Sequence, residues 1–280
     1  MKISWIAVLA LLAACSPSAK KAPEKAPRTN EVVVRAPAGS VTETAEITET
    51  AEIIEDAEVT EERNITIKSV KVANPLVVTG LARTFENNVV FRARGADGKV
   101  LAESFTTSTG EMGQHNPYSG SLWLTREPGN QIVVEALEYS ARDGAETNLV
   151  RVEKPFTVEP VEATLYFADE NCTGVKAFKR RMPKSISMAR LLAEALVHGP
   201  TTEELGRGAV SAFPERSAVQ SVILREGVLT VDFNERLQNV GGSCRAQMIR
   251  ASVTQTLSRL PTVRKVMITA GGSDKLALQP

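Results

Sequence analysis

The hydrophobic periodicity changes at residue 64, and that change limits which part of the chain can build a core. Upstream lies a hexad repeat, Thr42-Glu-Thr-Ala-Glu-Ile47 then Thr48-Glu-Thr-Ala-Glu-Ile53, with a decayed copy from Ile54 to Val59. A period of six fits neither the 3.6-residue helix nor the heptad, so its Ile and Val positions drift around any helix. From Ser40 to Glu62 there are nine acidic residues and no basic one. Such a run repels itself and extends. With the Pro-, Ala- and Lys-rich stretch Ser16 to Arg35 ahead of it, the segment reads as a disordered linker. An acidic, partner-binding segment is the sharper alternative. The folding part of the chain is therefore residues 64–280.

A second constraint sits at the start. Lys2 supplies a positive n-region and Trp5 to Leu12 a short apolar region, followed at once by Leu12-Ala13-Ala14-Cys15. A run this short cannot cross a bilayer, which takes about 20 residues, but it suits a signal peptide. Cysteine directly after small residues resembles the lipobox of bacterial lipoproteins. That resemblance implies removal of residues 1–14 and lipidation of Cys15; an ordinary secretory signal is the alternative. The partner implied first is thus a membrane, through lipid on Cys15, with residues 15–63 as tether. The expected location is the extracytoplasmic side of the cell envelope. In a Gram-negative host, Ser16 after the cysteine favours the outer membrane facing the periplasm.

The 33 basic and 33 acidic residues cancel, which excludes a nucleic-acid binder acting through bulk basicity. Resolved along the chain the balance is uneven. Residues 16–63 carry 6 basic and 11 acidic groups, residues 64–159 carry 10 and 11, and residues 160–280 carry 16 and 11. The last segment alone has an excess of positive charge.

Residues 64–159 alternate with period two. Ile65 to Val72, Pro75 to Gly80, Val89 to Phe91, Val100 to Ala102, Leu122 to Leu124, Ile132 to Leu137 and Val150 to Val158 read as strands, with an Asp97-Gly98 hairpin turn. About seven strands in about 95 residues predict an all-β sandwich. The pattern Asn74-Pro-Leu-Val-Val-Thr-Gly-Leu-Ala82, Phe85-Glu86, Val90-Phe-Arg92, Asp97-Gly98 and Ser140-Ala-Arg-Asp-Gly144 resembles the immunoglobulin-like domain of bacterial spore germination proteins. His115 lies in a glycine-rich stretch without a second ligand at metal spacing, and reads as a polar loop residue. Tyr118 and Trp123 are candidates for a glycan-stacking platform, with core packing as the competing use.

Residues 160–280 switch period again. Ala163 to Ala168 reads as a strand, Met188 to His198 as a helix stopped by Gly199-Pro200, and Thr201 to Glu204 as a capping box. A hairpin follows, Val219 to Leu224 and Val228 to Phe233 joined at Glu226-Gly227, then a helix from Gly242 to Leu260 and a strand from Val263 to Thr269. The order β-α-β-β-α-β predicts an α+β domain, a sheet with two helices. Leu165-Tyr-Phe167, Leu192 to Leu196 with Gly199-Pro-Thr-Thr-Glu-Glu204, and Gly227-Val-Leu-Thr-Val-Asp-Phe233 resemble the GerMN domain of sporulation and spore germination lipoproteins. The resemblance implies a small module used for protein contacts, similar to the ring-building motifs of envelope assemblies, and brings no catalytic residues with it.

Cys172 and Cys244 fall outside that pattern. In an oxidising compartment a disulfide between them is expected, with free thiols as the alternative. Lys176, Lys179, Arg180, Arg181 and Lys184 put five cations in nine residues, a candidate anion-binding loop or a solvated one. No nucleophile and base share a motif, and the two histidines, His115 and His198, fall in different predicted domains. The expectation is a non-enzymatic, cofactor-free and metal-free envelope interaction module, its partners envelope proteins or further copies of itself. Binding of peptidoglycan or another anionic glycan is the alternative.

Overall fold

The computed structural model describes residues 63–278 apart from 239 and 276; the signal peptide, Cys15 and the hexad repeat lie outside the described residues. The first domain is a sandwich of seven strands: β1 (Ile65–Lys71), β2 (Leu76–Ala82), β3 (Asn88–Gly95), β4 (Val100–Thr107), β5 (Asn116–Leu122), β6 (Gln131–Tyr139) and β7 (Glu146–Pro155). One sheet has the order β1-β2-β5 and the other β4-β3-β6-β7, with antiparallel pairing throughout. Alternate residues of β2 (Leu76, Val78), β3 (Val89, Phe91, Ala93) and β6 (Ile132, Val134, Ala136) are buried between the sheets. This is the β-sandwich the alternation predicts, with the immunoglobulin-like architecture the resemblance implies.

One strand starts earlier than its apolar residues suggest. β5 begins at Asn116, inside the stretch that reads as loop, because its outward positions are polar or small. Gly120 is required there for space: a Cβ would come 2.0 Å from the Phe91 ring.

The second domain comprises β8 (Pro160–Ala168), β9 (Val175–Pro183), α1 (Met188–His198), α2 (Thr202–Gly206), β10 (Val219–Arg225), β11 (Val228–Phe233), α3 (Ser243–Leu257) and β12 (Lys265–Ala270). Strands β8 and β9 form an antiparallel pair. In the other sheet, β11 pairs antiparallel with β10 and parallel with β12, the parallel step being spanned by α3. Relative to the expected order, the structure adds a strand, β9, and distributes the strands over two small sheets. The core gathers Leu165 and Phe167 of β8, Phe178 and Met182 of β9, Leu191 and Leu196 of α1, Val231 and Phe233 of β11, and Ile249 and Val253 of α3.

Local signals act as the residues dictate, with two exceptions. Thr201 and Glu204 form the capping box of α2, and Glu226-Gly227 turns the β10–β11 hairpin with φ of 50° and 79°. Ser187 occupies the N-cap position of α1 but gives no side-chain cap. At α3 the N-cap is Gly242, not Ser243, so no side chain caps that helix.

The two domains are pinned to each other by specific bonds. Buried Asn74 donates from Nδ2 to Leu124 O (3.1 Å) and to Pro183 O (2.8 Å), while its Oδ1 accepts from Leu124 N (3.0 Å). The Arg190 guanidinium lies 5.7 Å from the Trp123 ring centroid and donates to Val219 O and Gln220 O.

Candidate functional site

The outer face of the β4-β3-β6-β7 sheet carries two features side by side. The first is a rung of alternating charge at one level of all four strands, set by register: Glu103 lies opposite Arg92, Arg92 opposite Glu135, and Glu135 opposite Arg151. Glu135 is fully buried and accepts from Arg92, from Arg151 Nε (2.7 Å) and from Arg94 Nε (3.0 Å). Arg92 is also gripped by both oxygens of Glu146, each at 2.6 Å. Burial by itself would raise the Glu135 carboxyl, but the three guanidinium hydrogen bonds outweigh it and hold the pKa at about 2.

The second feature is a groove of about 760 Å³ over Val90, walled by the rings of Phe85, Phe105 and Tyr139 with the carboxylates of Glu103 and Glu138. Arg216, from the loop before β10, lines it as well. Phe105 is 72% exposed, Phe85 62% and Tyr139 39%; among the described residues these are the exposed aromatic rings, and all three line this groove. Glu138 fixes the rim by accepting from Phe85 N (2.6 Å) and from Asn148 Nδ2 (2.9 Å). Large apolar rings left in water on a sheet face mark a contact surface more readily than a stability device.

Family profiles divide the chain at the same point as the fold. Residues 67–145 match the immunoglobulin-like domain of bacterial spore germination, Gmad2, and residues 164–276 match Germane, described as sporulation and spore germination. Among solved structures, the first GerMN domain of the sporulation protein GerM from Bacillus subtilis is 32% identical, with 40% of this chain and 84% of that one covered and a TM-score of 0.36. Residues 164–276 belong to this family of sporulation and spore germination domains. The tandem GerMN domains of the same Bacillus subtilis protein are 29% identical, with 41% of this chain and 40% of that one covered and a TM-score of 0.35. The curated proteins contain no match.

Within the GerMN domain, the five cations do not form a loop. Lys176, Lys179, Arg180 and Arg181 lie on β9 and Lys184 just after it. Arg180 leaves the candidate anion-binding set: it is only 6% exposed, with Nε donating to Glu204 Oε1 (3.0 Å), Nη2 to Gly199 O (3.0 Å), and its guanidinium over the Phe167 ring. Lys179 pairs with Glu162 at 2.9 Å and Arg181 with Glu127 at 3.2 Å. Lys176 and Lys184 remain exposed.

The glycan-stacking pair is corrected as well. Tyr118 is buried in the sandwich, its hydroxyl donating to Thr66 O at 3.1 Å, and burial pushes its pKa up. Trp123 packs against the core of the GerMN domain with Arg190 on its ring. His115 Nε2 lies 3.1 Å from Arg63 O, and His198 Nδ1 lies 2.8 Å from Glu194 O. Cys172 and Cys244 are disulfide-bonded with Cα atoms 6.2 Å apart, joining the β8–β9 turn to the first turn of α3.

The groove is not legible in the sequence, because its rings come from positions 85, 105 and 139. Register brings them together: Val90 lies opposite both Phe105 and Leu137. One signal was present in β4, where a shift in register near Ala93 puts small or polar Ala102, Ser104 and Thr106 on the core phase and Phe105 outside.

Proposed function

We propose that the protein is a lipid-anchored, non-catalytic interaction or assembly module of the cell envelope, serving processes of the sporulation and germination type for which its two domains are named. The observation that carries this reading is the clustering of the exposed aromatic rings on one groove of a domain that Asn74 bonds to the GerMN domain. Both histidines spend a ring nitrogen on a backbone carbonyl, a structural use. The Cys172–Cys244 disulfide suits an oxidising, extracytoplasmic compartment. In this reading lipid on Cys15 is the anchor, and the acidic segment behind it is the tether that holds both domains clear of the bilayer.

The test is cross-linking of the full chain in its native envelope with partner identification, alongside growth on an alkyne-bearing fatty acid. A discrete set of envelope proteins or multimers, and label lost in Cys15→Ser, is the expected result. No cross-linked species, or label retained without Cys15, overturns the corresponding half of the proposal. Sedimentation with purified peptidoglycan tests the glycan reading, for which buried Tyr118 and packed Trp123 now provide no platform.

A further inference from the structure

The groove has a second property that narrows what fits it. Glu103, Ser104 and Phe105 are consecutive, and successive strand residues point to opposite faces, yet all three line the groove together. The groove therefore reaches the backbone of β4 as well as its outward side chains. β4 is the terminal strand of its sheet, so its outer edge carries no ladder pairing, and β5 of the other sheet reaches it through the bond from Thr106 Oγ1 to Ser119 O. An unpaired strand edge is a template for an added extended segment. The charged side chains along the groove are two carboxylates, Glu103 and Glu138, against one guanidinium, Arg216. Exposed aromatic faces beside carboxylates attract a cation, by cation–π contact and by charge.

We infer that this groove receives an extended, basic peptide segment of a partner protein, laid along the free edge of β4 with a lysine or arginine between the Phe105 and Tyr139 rings and the Glu103 carboxylate. The inference rests on the interaction reading above and names its partner chemistry. Backbone pairing supplies the register, the rings take the apolar stem of the basic side chain, and Arg216 repels a second cation. The acidic hexad repeat of this chain has the wrong sign for the carboxylate side.

The experiment uses the full chain and fluorescent octapeptides of alternating valine and lysine, valine and glutamine, or valine and glutamate, followed by anisotropy. The lysine peptide binds at least tenfold more tightly than the glutamate peptide, glutamine falls between, and raising salt narrows the spread. Phe105→Ala and Glu103→Gln each weaken the lysine peptide at least tenfold, and Phe105→Ala does so without moving the thermal midpoint because its ring is solvent-exposed, whereas Glu103 also faces Arg92 at 3.8 Å. Equal binding of lysine and glutamate peptides, or binding unchanged in both variants, overturns the inference. So does a synthetic peptide of residues 40–62 that binds as tightly, a dimer that Phe105→Ala dissolves, or peptidoglycan binding that Phe105→Ala abolishes while the peptides do not bind. Envelope cross-links that survive both variants sink this inference alone; a wild-type chain with no cross-links sinks the proposed function.

Discussion

Arg180 of β9 and Glu204 of α2 form an ion pair buried inside the GerMN domain, and Glu204 is at the same time the capping-box residue of α2, accepting from Thr201 N at 2.7 Å. Burial alone would raise the Glu204 carboxyl, but Arg180 and the Thr201 backbone draw it below its ordinary value. Removing one member strands the other charge in the core. Arg180→Met and Glu204→Ala are each expected to cost about 3–5 kcal/mol, the alanine variant losing the cap as well. Lys179→Ala, which breaks an exposed pair with Glu162, is expected to cost less than about 1 kcal/mol. Urea unfolding of the three variants checks the order.

The Glu135 cluster makes the sandwich acid-sensitive in a defined window. A carboxyl held at about 2 when folded, against about 4.3 unfolded, contributes stability that is complete above the unfolded value and is lost as pH falls toward the folded one. The wild-type thermal midpoint is expected to exceed that of Glu135→Gln at pH 6 and to converge on it between pH 4 and 2. A gap that stays constant over that range would contradict the assignment.

Gly120 and Phe91 test the packing between sheets. Gly120→Ala forces a Cβ into the Phe91 ring, and is expected to cost at least about 1–3 kcal/mol, as overpacking does. Phe91→Leu destabilises by itself, yet the double variant should be less unstable than the sum of the singles, since the sites share one contact. A double-variant cycle read by chemical denaturation measures that coupling.

The helix α3 begins with no side-chain cap and no acidic residue in its first turn, after Gly241 and Gly242 at φ 66° and 84°. The disulfide to Cys172 holds that turn covalently instead. Cys172→Ser is expected to cost about 2–5 kcal/mol, in keeping with the closure of a long loop. It should speed amide exchange in the first turn of α3 ahead of the rest of the helix, by hydrogen-exchange mass spectrometry.

Where alternation is uninterrupted, as in β2 with Leu76, Val78 and Ala82 inward, a strand is legible from residues alone. β9 is not, because Arg180 occupies an inward position between Phe178 and Met182 and disguises an apolar phase as a basic run. Its partner Glu204 lies 24 residues away, and no local rule joins them. The capping box of α2 and the β10–β11 turn are legible since their signals are confined to four residues. The groove depends on register across strands far apart in sequence, which composition and spacing do not encode.

Asn64 gives the fold a mechanical property. It accepts from Arg83 Nε (3.1 Å) and Nη2 (2.9 Å), and donates from Nδ2 to Asn148 Oδ1 (3.3 Å), where β1 begins and the described chain enters the sandwich. Arg83 follows β2 of one sheet and Asn148 belongs to β7 of the other. A pull entering there meets side-chain bonds to both sheets before it can peel β1.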